Sequence, residues 1–213
     1  VLGMPKCGTT SLHEAFLSAD FQSVHWALGA GIDTAADRRL RKWGDGADTR
    51  LVAHLMRRAA AEGLPPLAHL PSHINAVAEM NGLFWNGRHA EGYFPQMSLL
   101  ESLISCYPSA SFVLNYRDWR NWVASVNGHN DMRQRLVSAD LPGLPTGAGA
   151  CDRELIEWVE AHHRRVEALV RQAGARLLCF DVEHDGEQEL SSFLGCRVKW
   201  GQHNKSWQQR AAA

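Results

Sequence analysis

Short apolar runs and longer segments of helical period alternate along the whole chain. Val1-Leu2 reads as the end of a buried strand. Gln22 to Leu28, Ile74 to Glu79, Ala110 to Tyr116 and Arg176 to Phe180 are the other strand candidates. Several of these are continuously apolar, as expected for strands covered on both faces. The helical segments begin with Thr9-Thr10-Ser11 and its continuation to Leu17. A second runs through Leu51, Val52, Leu55 and Met56, with Asp48 or Thr49 as cap and Pro65-Pro66 as stop. Others are Ser98 to Tyr107, ended by Pro108; a segment carrying Trp119, Trp122, Val123 and Val126; Asp152 to Gly174, the longest; and Glu187 to Leu194. Gly29 to Thr49, Met80 to Pro95 and Gly128 to Ala150 read as Gly- and Pro-marked loops. The pattern predicts an α/β protein: one domain over 1–213, with a parallel sheet of about five strands and helices on both faces. Ligands in such sheets bind beyond the strand C-terminal ends.

Composition narrows this only a little. A chain of 213 residues, 45% hydrophobic and 21% charged, is an ordinary globular protein able to bury a core. A formal net charge of −1 gives no overall field for nucleic acid, and no apolar run reaches membrane-spanning length. The five cysteines are scattered and odd in number, without metal-type spacing, which fits a reducing cytoplasm and predicts no metal site. No secretory signal pattern is visible, and a start at Val1, inside the first strand, reads as trimmed.

The chemistry is concentrated at the beginning. Val-Leu-Gly-Met-Pro-Lys-Cys-Gly-Thr-Thr-Ser-Leu is a strand end, a tight turn and the first turn of a helix. A helix N-terminus offers unpaired N–H groups and partial positive charge, and glycines beside it let an anion approach the main chain. Gly3 and Gly8 have the spacing of a Walker loop, but Thr9 follows the second glycine and the lysine, Lys6, sits inside the turn. A phosphate loop of another make is therefore expected. Cys7, at the helix start, is a reactive thiol or a small residue tolerated in the turn. Farther on, Arg117 ends a strand and Ser125 lies eight residues later, about two helical turns. Together they can grip a second phosphate, the guanidinium through paired donors.

Pro5-Lys6-Cys7-Gly8-Thr9-Thr10-Ser11 resembles the phosphosulfate loop of sulfotransferases that use 3′-phosphoadenosine-5′-phosphosulfate (PAPS). The later Arg117 to Ser125 segment resembles their 3′-phosphate motif, with Trp119 where that family often has proline. The resemblance implies a P-loop NTPase-like sulfotransferase fold. It makes Lys6 the cation at the leaving oxygen, Gly8, Thr9, Thr10 and Ser11 the 5′-phosphate cradle, and Arg117 with Ser125 the 3′-phosphate grip. The Leu190-Ser191-Ser192-Phe193-Leu194-Gly195 segment and His203-Asn204-Lys205-Ser206 look like the family's late helix and closing basic segment, which makes Lys205 a nucleotide contact. PAPS is then the co-substrate and the 3′,5′-bisphosphate (PAP) the product.

The acceptor's proton requires a base across from the loop. The family places His, Glu or Asp just after the third strand, and Glu79, which ends it here, matches in position the Glu of the heparan-type branch. Burial among Phe84 and Trp85 is expected to raise its pKa. His69, His73 and His89 are competing bases, and His13 is a candidate for steadying the sulfuryl group. His162-His163 read as a surface pair. Arg38-Arg39-Leu40-Arg41-Lys42 is a solvated helix face or a greeting surface for an anion, and Trp85, Tyr93, Phe94 and Trp119 line an acceptor cleft or pack in the core. The leading expectation is sulfuryl transfer to a hydroxyl or amine of a small molecule, glycan or lipid. Two others stay open: a P-loop kinase or NTPase, with Asp181 after Phe180 as its magnesium carboxylate, and a catalytically silent nucleotide-binding member.

Overall fold

The computed structural model describes residues 1–29 and 50–201. Lys205, the Arg38 to Lys42 cluster, the caps at Asp48 and Thr49 and most of the first predicted loop lie outside the described residues. In chain order the elements are α1 (Thr9–Leu17), β1 (Ser23–His25), α2 (Val52–Ala61), β2 (Ala76–Glu79), then β3 (Gly82–Asn86) and β4 (His89–Tyr93). They continue with α3 (Pro95–Ser98), α4 (Leu100–Cys106), β5 (Ser111–Tyr116), α5 (Trp119–Asn127), α6 (Met132–Ser138), α7 (Asp152–Gln172), β6 (Arg176–Asp181) and α8 (Glu187–Leu194).

The fold is α/β, but the predicted five-strand sheet is not seen among the described residues. Instead β1 pairs with β2 and β5 with β6, both parallel, and β3 with β4, antiparallel. Val1 and Leu2 lie between the parallel pairs: Val1 N donates to Val77 O and Leu2 N to Val113 O, each at 2.8 Å. One bond to each side is too little for a ladder, so no central strand forms there. Helices do cover both faces of β5. Phe112 and Leu114 pack with α4 and α7, through Leu103 and Val166, whereas Val113 between them packs with α1 and α8, through Leu12 and Leu190. That is the period-2 alternation of a strand buried on both sides.

Two predicted loops contain regular structure. Met80 to Pro95 holds the β3–β4 hairpin, which turns on Gly87 and Arg88 between the paired Asn86 and His89. Gly87 has φ +66°, the left-handed value that tight hairpin turns require. Gly128 to Ala150 holds α6, whose Met132 and Leu136, four residues apart, are buried. The helix expected from Ser98 to Tyr107 is broken at Leu99 into α3 and α4.

Candidate active site

The loop from Gly3 to Gly8 is held from behind by buried side chains of four elements. Asn115 of β5, fully buried, accepts from Gly3 N (3.0 Å) and donates through Nδ2 to Cys7 O (2.5 Å). Trp122 Nε1 of α5 donates to Pro5 O at 2.9 Å, and Gln96 Nε2 of α3 to Gly3 O at 3.5 Å. His162 Nε2 of α7 donates to Leu2 O at 2.7 Å. Gly3 is required here: a Cβ would stand 2.1 Å from Asn115 O and 2.2 Å from its Oδ1.

This anchoring decides what the loop presents outward. In a trans peptide the C=O and the following N–H point opposite ways. Drawing the carbonyls of Pro5 and Cys7 inward therefore turns the N–H groups of Lys6 and Gly8 outward, and neither finds an acceptor among the described residues. Gly8 caps α1 in the left-handed region (φ 70°), and Lys6 holds φ +69°, uncommon for a residue with a side chain. The partial positive charge of the α1 N-terminus adds to these donors.

Glu79 meets the loop through a strand irregularity. Val24 pairs with Val77 but His25 with Glu79, so Ala78 is an extra residue in β2. Such a bulge re-aims side chains. Here it sets the Glu79 carboxylate beside His25: His25 Nε2 lies 3.0 Å from Glu79 Oε2 and 3.1 Å from Thr9 Oγ1. Thr9 Oγ1 donates to the same Oε2 at 2.5 Å. Burial works against the charged carboxyl, but the hydrogen bond and charge of His25, the Thr9 hydroxyl and the Lys6 ammonium outweigh it, and its pKa falls below the usual value. The expected upward shift is thus reversed, because Glu79 sits among donors. Phe84 instead packs on Trp26, with ring centroids 6.1 Å apart, and Trp85 turns out to hydrogen-bond Asp131.

Burial lowers the pKa of Lys6, opposed by Glu79 and aided by Arg117. The Lys6 loop and Arg117 therefore lie within each other's electrostatic reach. Arg117 is engaged: Nε and Nη2 donate to Glu183 Oε1 at 3.0 and 2.5 Å. Glu183, in the turn after β6, also accepts from Asp118 N at 3.1 Å and from Asn121 Nδ2 at 3.2 Å. Ser125 lies one helical turn beyond Asn121 and is half-buried.

The sequence pattern of the sulfotransferase domain matches residues 1–141 of the 213. The chain belongs to the sulfotransferase family. No curated protein matches it. The matched span of the sulfotransferase domain contains the loop, Glu79, Arg117 and Ser125, whereas Glu183 lies after it.

Other expectations are redirected. Cys7 is completely buried, and burial pushes its thiol up to about 12, so it stays protonated and unreactive. His162 and His163 form no surface pair; both are buried, and desolvation lowers them to about 4 and about 3. The competing bases stand elsewhere. His69 pairs with Glu62 at 2.7 Å, His89 is largely exposed beside Glu91 at 3.8 Å, and His73 is exposed. His13 Nδ1 is 2.8 Å from Ser23 Oγ, with its ring 5.6 Å from that of His25. The aromatic set does not converge on one cleft: Phe94 is core against Trp158, Trp119 packs on His163, and Tyr93 lies under Arg57. Asp181 accepts from Glu183 N at 2.9 Å and contacts His184 Nδ1 at 3.0 Å.

Sequence reasoning missed His25, Asn115 and Glu183. His25 ends β1 in the structure, but the predicted strand runs on to Leu28, so the rule that ligands bind beyond strand C-terminal ends does not point to it. Asn115 is the one polar residue in the apolar run Phe112 to Tyr116. Glu183 carries no local signal, because its partner lies 66 residues away.

Proposed function

We propose that this single-domain protein transfers a sulfuryl group from PAPS to a hydroxyl or amine of a small-molecule, glycan or lipid acceptor. The observation that carries the reading is that Glu79 bonds Thr9 at the start of α1 while Lys6 lies within electrostatic reach of both Glu79 and Arg117. Gly8, Thr9, Thr10 and Ser11, with Pro5 and Cys7 shaping the turn, would cradle the 5′-phosphate. Arg117 and Ser125 would hold the 3′-phosphate, and Lys205 would add a contact to it. The donor supplies an activated sulfuryl group on a bridging oxygen. As the acceptor oxygen bonds to sulfur, the bond from sulfur to that bridging oxygen breaks and its electron pair leaves with the phosphate. Lys6 neutralises the charge growing there, a task that a half-buried ammonium performs well. The acceptor's proton passes to the pair formed by Glu79 and His25. In it the imidazole takes the proton and the carboxylate, ionised at neutral pH, steadies the positive charge that results. No helix among the described residues is long and apolar enough to cross a membrane. All five cysteines are free thiols, which supports a reducing compartment such as the cytoplasm.

Calorimetry with PAP against ATP–magnesium tests the nucleotide, and radiolabelled PAPS with a panel of phenols, sugars and amines tests transfer. PAP binding with sulfate transfer is the expected result. Binding of ATP–magnesium in preference to PAP sinks the reading in favour of a kinase, and PAP binding without transfer across the panel leaves a silent member. Lys6→Ala should cut turnover about 100-fold or more, while Arg117→Ala should chiefly weaken PAP. Rates like wild type in both would discard these assignments.

A further inference from the structure

The Arg117 end of the site already holds an anion, and it belongs to the protein. Three kinds of donor converge on the Glu183 carboxylate: two guanidinium nitrogens of Arg117, the backbone N–H of Asp118 at the start of α5, and the amide of Asn121. Both carboxylate oxygens are engaged. Such a mix of a guanidinium, a helix N-terminal N–H and a neutral amide is the composition of a phosphate-binding site. The Ser125 hydroxyl, one turn beyond Asn121, has no partner among the described residues, so the donor set extends past what Glu183 fills. Arg117 and Glu183 are both mostly buried, with side chains 13% and 17% exposed.

We propose that Glu183 is an internal competitor for the 3′-phosphate, a carboxylate that holds the Arg117 grip closed until a ligand carrying that phosphate displaces it. The inference rests on Arg117 and Ser125 being the 3′-phosphate grip. A phosphate and a carboxylate cannot share one edge of a guanidinium, since both are anionic and both need Nε and Nη2. A ligand with a 3′-phosphate, carrying more charge than a carboxylate, displaces Glu183 and takes its donors. A ligand without one leaves the Arg117–Glu183 pair closed and gains nothing from Arg117. The movement is confined to a side chain. Val182 N is bonded to Tyr116 O at 2.9 Å and Glu183 N to Asp181 Oδ1 at 2.9 Å, so the backbone of the turn stays fixed while the carboxylate swings through its exposed edge.

The test is calorimetric titration of wild type and Glu183→Gln with PAP and, in parallel, with 5′-AMP, which lacks the 3′-phosphate. Glu183→Gln removes the competing charge and keeps the shape. PAP should bind it about tenfold tighter than wild type, with the 5′-AMP affinity unchanged. Glu183→Ala, read by the same titrations, replaces the Gln variant if that protein is unstable. Equal or weaker PAP binding in a folded variant overturns the proposal and makes Glu183 a support that positions Arg117. Equal gains for PAP and 5′-AMP overturn it too, because the competition would then not concern the 3′-phosphate. Failure of wild type and variant alike to bind PAP removes the functional reading beneath it, a result distinct from the other two.

Discussion

At Gly3 and Lys6 the backbone itself is part of the site. Asn115 approaches Gly3 so closely that even a methyl group has no room. Gly3→Ala should therefore shift the loop or β5, costing about 1–3 kcal/mol as an overpacking change, and should abolish PAP binding in calorimetry. A variant that binds PAP as wild type does would show that the Asn115 brace is dispensable. Lys6 is held at positive φ, a conformation glycine adopts without penalty. Lys6→Gly should raise the unfolding free energy by about 1 kcal/mol while turnover collapses. Denaturant melts paired with transfer assays check both halves, and loss of stability would contradict the strain argument. Lys6 was legible in the sequence from its neighbours, but its backbone strain was not, because φ depends on how the two ends of the turn are tied down.

Two elements carry more than their own sequences announce. In β2 the extra residue Ala78 brings Glu79 opposite His25; without it His25 would pair with Ala78. The apolar pattern locates the strand end, yet register is a property of the pair, so Glu79 was found as a candidate and His25 was not. The α7 helix is the second case. Its period and length were plain, but which flank faces inward at His162 and His163 depends on what packs there, Leu2 and Trp119. Both rings are kept neutral, titrating at about 4 and about 3. The unfolded chain, with ordinary imidazoles near 6.5, takes up protons first as the pH falls. Stability is thus complete above about pH 6.5 and declines below it, by about 2 kcal/mol for each histidine at pH 5. Urea midpoints at pH 7 and pH 5 should show the fall, and the double variant His162→Gln, His163→Phe should flatten it. Equal midpoints in wild type would place these side chains in water.

On the scale of the whole molecule, the site joins segments from both ends of the described chain: the loop, β1 and β2 on one side, and β5, α5 and the turn after β6 on the other. A nucleotide spanning Lys6 and Arg117 would tie these segments together and stabilise the folded state by mass action. PAP at about a hundred times its dissociation constant should add about 2.7 kcal/mol, read as a rise in melting temperature. Arg117→Ala should lose most of that rise at the same PAP concentration. A melting temperature indifferent to PAP would mean that the two motifs do not act on one ligand.

Local chemistry told the class of protein. A glycine-bounded turn with an internal lysine, a hydroxyl-rich helix start and an arginine after a buried strand are local patterns, and local sequence dictates local backbone. The alternation of strands and helices likewise needs only periodicity. Tertiary structure alone decided which side chains meet: His25 with Glu79, Asn115 behind the loop, Glu183 on Arg117. Those contacts join residues 54, 112 and 66 positions apart. Nothing in the intervening sequence encodes such pairings except the packing of the whole chain, which also replaced the expected continuous sheet with two parallel pairs and a hairpin.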